Sequence, residues 1–371
     1  MIIDTLKLKN FRNYSDAFVR FSKGVNYIYG LNAQGKTNIL ESLFFCGCAR
    51  SHRTNKDINM LMEDTEEFLV KISVEYDSGI KKDIQIIYSG NTKKKELKIN
   101  ENRQQTIGDL FGKLQMVFFS PEDLMLIKEG PAVRRRQIDI ALSQLKPSYF
   151  HDLSRYYKIL AHKNNLLKEI KRKPNLMQTL DVWNENLASY ASRIIIKRKG
   201  YIEELAAIAK TKHLIISEDM EDLDIRYSCM FFDVDDDEKK LALKITDKYK
   251  ENSEKEIING TTFIGPHRDD IIFNINGKEA KGLASQGQQR SVVLSFKMAQ
   301  LQIIKDQINE MPVLLLDDVF SELDERRRRY VYDNLQGIQT FITGTEQDTM
   351  IKDKLREVKF FQIDKGSIRE Q

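Results

Sequence analysis

One segment near the start of the chain has the residue types and spacing that hold a chain of phosphates. Residues 30–37, GLNAQGKT, match the pattern G-x-x-x-x-G-K-S/T at every fixed position. In such a loop, glycines let backbone N–H groups surround the phosphates, the lysine reaches the β- and γ-phosphates, and the hydroxyl binds Mg²⁺. We therefore expect Lys36 to be catalytic and Thr37 to be a ligand of Mg²⁺. The predicted nucleotide-binding residues are Gly30, Asn32, Gly35, Lys36, Thr37 and Asn38.

The residues on either side of this loop support the interpretation. The apolar run Val25–Tyr29 predicts a buried strand before the loop, and residues 38–46 predict a helix after it. A glycine-rich turn that precedes a helix by chance is the alternative. A strand and a helix on the correct sides argue against that alternative, because the helix N-terminus adds a positive dipole to the phosphate site.

A phosphate loop of this kind works with a carboxylate that holds the metal, and a second segment supplies two. Val313–Leu316 is a run of four apolar residues, typical of a buried parallel strand, and Asp317 and Asp318 follow it directly. Because side chains alternate along a strand, the two acids are expected to point in different directions. We assign Asp317 to Mg²⁺ and Asp318, as catalytic general base, to the attacking water.

A third segment, residues 284–290, predicts the capped N-terminus of a helix. Ser285 is followed three residues later by Gln288, which is a capping-box pattern. An ordinary capped helix would show the same local pattern. Alongside the other two segments, the free N–H groups near Gly287 and the Ser285 hydroxyl predict a phosphate contact. Since no phosphate loop lies beside this segment, the loop would have to come from another subunit.

The organisation of the chain explains how these distant segments can meet. Residues 1–130 alternate strand-like runs and turns around one helix, and strand and helix alternation resumes after residue 256. Between them, mostly apolar residues recur at helical spacing. One such series is Leu153, Tyr157, Leu160, Asn164 and Leu167. We therefore predict one α/β head domain, residues 1–130 and 257–371, interrupted by a mainly helical inserted arm domain, residues 131–256.

Composition excludes several classes of protein. With 41% hydrophobic and 31% charged residues, the chain can bury a sizeable core. Cys46, Cys48 and Cys229 cannot form a disulfide framework, which fits a reducing compartment, and Cys46 and Cys48 are expected in the core instead of on a metal. No apolar run approaches the roughly 18 residues of a membrane helix. The prediction is a soluble cytoplasmic protein without a membrane partner.

Bulk charge gives little information about partners, because 59 basic and 55 acidic residues leave a net charge of only +4. Any contact with nucleic acid must therefore use local basic clusters, since phosphate contacts dominate such binding. A solvated surface is the alternative for each cluster. The two clusters that we favour for DNA are Lys93, Lys94 and Lys95, and Arg134, Arg135 and Arg136.

The three segments together resemble the nucleotide-site motifs of ABC-type ATPase heads of the structural-maintenance-of-chromosomes class. They read GLNAQGKT, ASQGQQR and VLLLDDVFSELD, and their order and spacing are similar to those of the bacterial RecF family of recombination mediators. Further similar segments are LKNFRNY (residues 8–14), FSPED (119–123) and GPHRDD (265–270). The resemblance implies an α/β fold, an ABC-type P-loop ATPase head with a largely helical inserted arm domain.

The resemblance also implies an ATP-dependent homodimer with Mg²⁺ as cofactor. In it, Ser285, Gly287 and Gln288 would reach the nucleotide of the partner subunit, and Asp324 would lie in the loop between the two sites. An ordinary helix cap is the alternative role for Asp324.

The same resemblance implies an ATP-dependent DNA-binding mediator of gap repair and replication-fork recovery. Such a protein helps to load recombinase on single-stranded gaps, binding duplex DNA at junctions between single and double strands. The implied protein partners are RecR, with RecO, and the implied location is the bacterial cytoplasm, at the nucleoid.

Three positions depart from, or are ambiguous in, the ABC pattern. The catalytic carboxylate is normally glutamate, and the shorter Asp318 predicts slow hydrolysis, because misplacing a reacting group can cost about 10²-fold in rate. Gln115 and the turn Ser120-Pro121-Glu122 compete for the place of the lid glutamine. Thr343 stands where the class often has a histidine, and it can contact phosphate or water without being a strong base.

The sequence leaves open the roles of two further sets of residues. His267 can contact phosphate or be a satisfied loop residue. Arg12 and Asn13, after the first strand, can reach adenine or phosphate, or form a surface turn.

Two other functions fit the motifs in general form. One is the cytosolic ATPase subunit of a membrane transporter, although such a subunit rarely carries a long helical arm. The other is a structural switch that binds ATP with negligible turnover.

Overall fold

The computed structural model describes residues 1–231, 237–346, 351, 355 and 357–371. Within these residues, fifteen strands follow the chain. They are β1 (Ile2–Phe11), β2 (Tyr14–Arg20), β3 (Val25–Tyr29), β4 (Glu67–Glu75), β5 (Lys81–Ser89), β6 (Lys94–Ile99), β7 (Asn102–Arg103), β8 (Met116–Phe119), β9 (Leu223–Ser228), β10 (Asp270–Ile275), β11 (Lys278–Glu279), β12 (Val313–Leu316), β13 (Thr340–Gly344), β14 (Val358–Asp364) and β15 (Ser367–Glu370).

Eleven α-helices lie among the described residues. They are α1 (Lys36–Cys48), α2 (Met125–Lys128), α3 (Pro131–Leu145), α4 (Pro147–Ile170), α5 (Leu180–Ser217), α6 (Glu238–Glu251), α7 (Ser253–Asn259), α8 (Ala280–Leu283), α9 (Gln286–Ile308), α10 (Val319–Glu322) and α11 (Glu325–Asp333). Short 3-10 turns connect several of them. Among the described residues, no helix combines the length and the apolar composition needed to cross a membrane.

The strands form three sheets. An antiparallel sheet has the order β2-β1-β4-β5-β6-β7, and a small arm sheet has the order β11-β10-β9. The third sheet has the order β15-β14-β3-β13-β12-β8, in which the five strands from β14 to β8 run parallel. The carboxyl ends of β3, β12 and β13 therefore meet at one edge, which is where ligands bind in sheets of this type.

The parallel sheet is covered on both faces, as its unbroken apolar strands predict. In β12, Leu314 and Leu316 pack into the core shared with α9 and the arm helices, whereas Val313 and Leu315 pack into the core shared with α1 and the antiparallel sheet. The alternation follows from the two-residue repeat of a strand. Helix α1 is thereby fixed between two sheets, with its first residue at the ligand-binding edge. The predicted ABC-type fold with a helical arm is confirmed.

The arm is built mainly from α4, α5 and α6, which share one core with α9 of the head. Strand β9 precedes the predicted arm boundary and β10 follows it, yet they pair in one sheet from Leu223 to Ser228. The division into head and arm stays a prediction. The arm sheet joins strands from both sides of the predicted boundary between residues 256 and 257. Residues 232–236 of the arm lie outside the described part of the chain.

The buried face of α4 is shifted from the predicted one. Leu160 and Leu167 are buried as expected, but Tyr157 is 43% exposed and its neighbour Tyr156 is buried instead. The inward face also holds Lys163, which pairs with the buried Glu256 of α7 at 2.8 Å. The apolar spacing predicted the wrong face for Tyr157, because the face that is actually buried includes a charged residue. That residue, Lys163, can be buried because its charge is paired with Glu256 on another helix.

Candidate functional site

A cleft of about 510 Å³ opens at the edge where β3, β12 and β13 end. The strand register brings the ends of the three strands to this edge. Gly344 of β13 pairs with Tyr29 of β3, and Leu316 of β12 pairs with Ile342 of β13. The phosphate loop follows β3 and the two acids follow β12, so the chain brings them together across the sheet. The residues that line the cleft are Arg12, Asn13, Asn32, Ala33, Gly35, Lys36, Thr37, Asn38, Arg53, Leu61, Asp317, Asp318, Thr343 and Thr345.

The phosphate loop has a backbone that only glycine allows at Gly35. Its φ is +113°, and a Cβ there would lie 2.5 Å from the side-chain nitrogen of Asn13. The Lys36 ammonium donates to the carbonyl oxygens of Gly30 (2.6 Å) and Leu31 (3.0 Å). The lysine is therefore held over the loop, where its charge faces the space that phosphates would fill.

The turn between β1 and β2 supports the loop from below. Asn13 donates to the Gln34 carbonyl (2.8 Å) and accepts a hydrogen bond from the Asn38 side chain (2.8 Å), and the Tyr14 hydroxyl donates to the Gly35 carbonyl (3.0 Å). The sequence left open whether Asn13 contacts the nucleotide or only forms a surface turn, and these contacts show that it does more than form a turn. Its side chain positions the loop and lines the cleft.

The acid that follows β12 is bound to two hydroxyls. Thr37 and Thr343 each donate to Oδ1 of Asp317, at 2.9 and 2.7 Å, and the Thr343 hydroxyl accepts the N–H of Asp318 at 2.8 Å. Burial raises the pKa of Asp317, and the two hydroxyl hydrogen bonds partly offset that effect. A buried carboxylate beside a threonine hydroxyl fits Mg²⁺, a hard cation that completes its shell with phosphate and water oxygens.

The second acid differs from the first in exposure and backbone conformation, and both acids lie beyond the end of β12 at Leu316. Asp318 is exposed whereas Asp317 is 9% exposed, and Asp318 has a left-handed φ of 51°. Burial lowers the pKa of Lys36, and the nearby charges of Asp318 and Asp317 act in the opposite direction. Beside the Lys36 ammonium the cleft therefore holds two acids, of which the exposed Asp318 can meet a water molecule.

Helix α9 begins with the predicted capping box. Ser285 Oγ accepts the N–H of Gln288 (3.2 Å), and the Gln288 side chain accepts the N–H of Ser285 (2.8 Å). Ser285 is exposed. In the described part of the chain, neither Ser285, Gly287 nor Gln288 lines the cleft around Lys36.

Asp324 caps α11 and lies beside this helix start. Its carboxylate accepts the N–H of Arg327 (2.9 Å) and pairs with the Arg327 guanidinium. The same guanidinium donates to the Gly287 carbonyl (3.0 Å) and to the Ser291 hydroxyl (2.7 Å). Arg327 thus holds the Asp324 loop and the start of α9 together on one surface.

The position of Gln115 argues against one of the two lid candidates, and the other stays a prediction. Gln115 precedes β8, is buried, and lies at the opposite edge of the sheet from the cleft, so it is not a lid residue. The turn that starts at Ser120 follows β8 at the correct edge, next to the Asp317 N–H, which donates to the Phe119 carbonyl (2.9 Å).

His267 and the cysteines are structural. The ring nitrogens of His267 lie 2.5 Å from the Tyr156 hydroxyl and 3.1 Å from the Thr262 carbonyl, and burial lowers its pKa to about 4. Cys46 and Cys48 are buried in α1, as predicted.

Each basic cluster contains one residue whose assignment to a DNA surface needs correction. Arg134 is 5% exposed and its guanidinium binds both oxygens of Asp270, at 2.7 and 2.8 Å, so it cannot face DNA. Lys95 pairs with Asp57 at 2.9 Å, whereas Lys93 and Lys94 are exposed. Consecutive residues on α3 point about 100° apart, so the three arginines of the other cluster cannot share one face.

Sequence reasoning missed the charged groups of Glu41 and Arg53 near the cleft, and it left the role of Arg12 open. Glu41 is fully buried in α1, and both of its carboxylate oxygens accept hydrogen bonds from the Arg12 guanidinium, at 2.8 and 2.7 Å. Arg53 donates to the Asn38 side chain at 3.1 Å. Both arginines line the cleft and add positive charge. No local motif marks them, because their partners are distant in sequence.

Comparison with known proteins gives relatives over the whole length. The chain is 46% identical over 368 residues to the DNA replication and repair protein RecF of Acetivibrio thermocellus, with 99% of each chain covered. It is 42% identical over 369 residues to the protein of the same name from Ruminiclostridium cellulolyticum, again with 99% of each covered.

Solved structures agree. The recombination mediator protein RecF with ATP superposes with a TM-score of 0.93 at 35% identity, over 100% of this chain and 97% of that one. A head of an Smc protein bound to the C-terminal winged-helix domain of ScpA has a TM-score of 0.55 at 15% identity, covering 100% and 97%, which shows a shared fold alone. The model of the RecF/RecN/SMC N-terminal domain family matches residues 2–368. The chain therefore belongs to the RecF family of DNA replication and repair proteins.

Proposed function

We propose that this chain is an ATP-dependent DNA-binding recombination mediator that works as a slowly hydrolysing dimeric clamp. The observation that carries the ATP site is the 2.9 Å hydrogen bond from Thr37 to Asp317, which unites the phosphate loop with the acid of a different strand. A relative of 35% identity has been solved with ATP, which supports ATP as the nucleotide.

Lys36, Thr37 and Asp317 would hold the triphosphate and Mg²⁺. When bound, Mg²⁺ neutralises charge on the phosphates. The Lys36 ammonium faces the same oxygens from the loop, and the two threonine hydroxyls keep the Asp317 carboxylate in place. Binding at this edge uses the backbone N–H groups at the start of α1 for the remaining phosphate oxygens.

Hydrolysis needs a base for the attacking water, and Asp318 is the candidate. Its carboxylate would accept a proton as the water oxygen attacks the γ-phosphorus and the bond to the β-phosphate oxygen breaks. The short side chain and the unusual φ of Asp318 favour slow turnover. A slow reaction suits a clamp whose ATP-bound state must last.

The site is completed by a second copy. Ser285, Gly287 and Gln288 lie on an exposed helix start outside their own subunit's cleft, and Asp324 is held beside them by Arg327. In an ATP-dependent homodimer, this surface would meet the γ-phosphate held by the partner's Lys36. The free N–H groups and the dipole of α9 would supply the binding energy.

The DNA-related part of the proposal is supported by the relatives, which are named DNA replication and repair proteins. One solved relative is described as a recombination mediator in the RecFOR pathway, so RecR and RecO are the proposed partners. We further propose gap repair and replication-fork recovery in the bacterial cytoplasm, at the nucleoid, with help in loading recombinase. Family membership sets aside the transporter ATPase.

The experiment that tests the proposed function compares DNA substrates with and without ATP. Binding of the full chain to blunt duplex, single strand and a junction between them should be measured by fluorescence anisotropy. We expect tighter binding with ATP, and the tightest binding at the junction. Equal binding with and without ATP on all three substrates would contradict an ATP-dependent clamp.

A further inference from the structure

A second cleft lies at the other end of α1 from the phosphate loop. It measures about 480 Å³ and is bounded by the residues after α1, by α3 and by α4. Since α1 has 13 residues, the two clefts are separated by about 20 Å along its axis. The residues that matter here are Arg50, Arg135, Arg136, Phe111, Phe150 and Tyr157.

Three arginines converge on this cleft without an acid to balance them. Arg135 donates to the Asp269 carbonyl (2.6 Å) and Arg136 to the Ser51 carbonyl (2.9 Å). Arg50 is exposed, and no hydrogen bond joins its side chain to a described residue. Among the described residues, no carboxylate lies within ion-pair distance of any of the three guanidiniums. Burial and the charge of Arg50 lower the pKa of Arg136.

The acid at the cleft wall does not cancel this charge. Asp139 lines the cleft, but its carboxylate is bound by the buried Arg198, at 2.8 and 3.1 Å, and by the Tyr149 hydroxyl. Asp139 is thus already neutralised from the interior. Arg50 and Arg136 repel each other, and an anion between them would relieve that repulsion.

Aromatic rings also line this cleft. Phe150 stacks on Phe111 with ring centres 4.3 Å apart, and Tyr157, whose exposure contradicted the apolar pattern of α4, is 43% exposed. Arginines that bind phosphate beside rings that stack on bases are the features with which proteins hold unpaired nucleotides. The volume lies within the range of small-ligand sites.

We propose that this cleft binds one unpaired nucleotide of a DNA strand. Its phosphate would lie against Arg50 and Arg136, and its base against the rings of Phe150 and Tyr157. A base within a duplex is stacked on both faces and cannot use these rings. This inference rests on the proposed DNA binding and adds to it a site for the single-stranded side of a junction.

The test measures anisotropy of labelled oligothymidine, of a duplex with a single-stranded overhang and of blunt duplex, with the full chain and ATP. Arg50→Ala and Tyr157→Ala should each weaken binding of oligothymidine and of the overhang substrate by at least about fivefold. Blunt-duplex binding should not change. Tyr157→Phe, which keeps the ring, should bind like wild type.

Arg20→Ala is the matched control, because Arg20 is an exposed arginine of β2 outside this cleft. It should leave all three affinities at their wild-type values. Thermal unfolding of each variant checks the fold, which Arg50→Ala should preserve, since the exposed Arg50 side chain forms no hydrogen bond or ion pair with a described residue. Competition with free thymidine monophosphate shows whether the ligand of the cleft is a DNA strand or a free mononucleotide.

Four results would overturn the proposal. They are unchanged binding in Arg50→Ala and Tyr157→Ala, equal weakening on blunt duplex, equal weakening by Tyr157→Phe, and arginine-dependent binding of the mononucleotide without binding of the strand. In any of these cases, ATP-dependent binding of blunt duplex would leave the proposed function standing. Absence of binding to every DNA substrate in wild type would instead contradict the proposed function itself.

Discussion

The Gln288 side chain donates a hydrogen bond to the Glu221 carboxylate at 3.1 Å, which joins the start of α9 to the turn that ends the long arm helix α5. The other oxygen of Glu221 lies 3.0 Å from Nε2 of His213, whose Nδ1 lies 3.1 Å from the Ser295 hydroxyl on α9. The helix start that we assign to the partner's nucleotide is therefore fixed to the arm by a partly buried polar network.

We expect Glu221→Ala to reduce ATP hydrolysis several-fold while leaving ATP binding by the monomer unchanged. The variant frees Gln288 and leaves the buried His213 without its carboxylate partner, so the start of α9 loses its attachment to the arm. Steady-state phosphate release and nucleotide titration measure the two effects separately. Asp219→Asn is the control, since it removes a neighbouring charge at a left-handed φ that asparagine tolerates. Wild-type hydrolysis in Glu221→Ala would show that the network is not needed.

Lys36→Met should weaken ATP binding by roughly 10- to 100-fold, because a charge-assisted hydrogen bond contributes about 1.5–3 kcal/mol. The fold should remain intact, since the hydrogen bonds of the ammonium to described residues go to loop carbonyl oxygens at the cleft. Titration with a fluorescent ATP analogue gives the affinity, and circular dichroism checks the fold. Unaltered affinity would remove the phosphate-loop assignment.

Asp318→Asn should keep ATP and Mg²⁺ binding but lose hydrolysis, because only the general base is removed. Asparagine has the same size and also tolerates the left-handed φ of 51°, so the loop should not move. Phosphate release under single-turnover conditions tests this prediction. If turnover persists at the wild-type rate, another residue acts as the base.

Glu41→Gln should lower the free energy of unfolding by about 3 kcal/mol, because it leaves Arg12 without its partner in a mostly buried pair. Burial by itself would raise the pKa of Glu41, but hydrogen bonds from Arg12 and Ser51 bring it below its ordinary 4.5. A lowered folded-state pKa means that this stability is fully present above pH 4.5 and is lost as pH falls through the folded-state value.

Urea unfolding of wild type and Glu41→Gln, followed from neutral into acidic solution, checks the sign. The difference in unfolding free energy should be constant near neutral pH and shrink in acid. A difference that grows in acid would contradict the assignment of a lowered pKa to Glu41.

The meeting of the phosphate-loop motif with Asp317 and Asp318 in one cleft was predictable from sequence, because these residues come in motifs of fixed spacing. Thr37 and Asp317 were each assigned to Mg²⁺ from local patterns, and a parallel sheet brings such segments to one edge. The capping box of Ser285 was equally local. These predictions needed only short-range regularities, whereas the role of Ser285 in a second subunit stays a prediction.

Residues that depend on distant partners were not predictable in this way. Arg134 belongs to a visible basic run, but its burial depends on Asp270, which is 136 residues away. The pair of Arg12 with Glu41 has no local signal either. On α4, the apolar pattern pointed to Tyr157, because a pattern cannot show that Lys163 is buried against Glu256.

The composite site is the central claim, and mixing two damaged proteins tests it most directly. Ser285→Arg should bind ATP as a monomer but fail to dimerise, because a bulky cation would occupy the phosphate position, and Lys36→Met should fail because it binds ATP poorly. A mixture of the two can still build one intact site from the undamaged Lys36 of one copy and Ser285 of the other. Sedimentation velocity with ATP and with ADP should show partial association of the mixture with ATP only, and none for either variant alone. If Ser285→Arg alone dimerises with ATP as well as wild type does, the shared site is wrong.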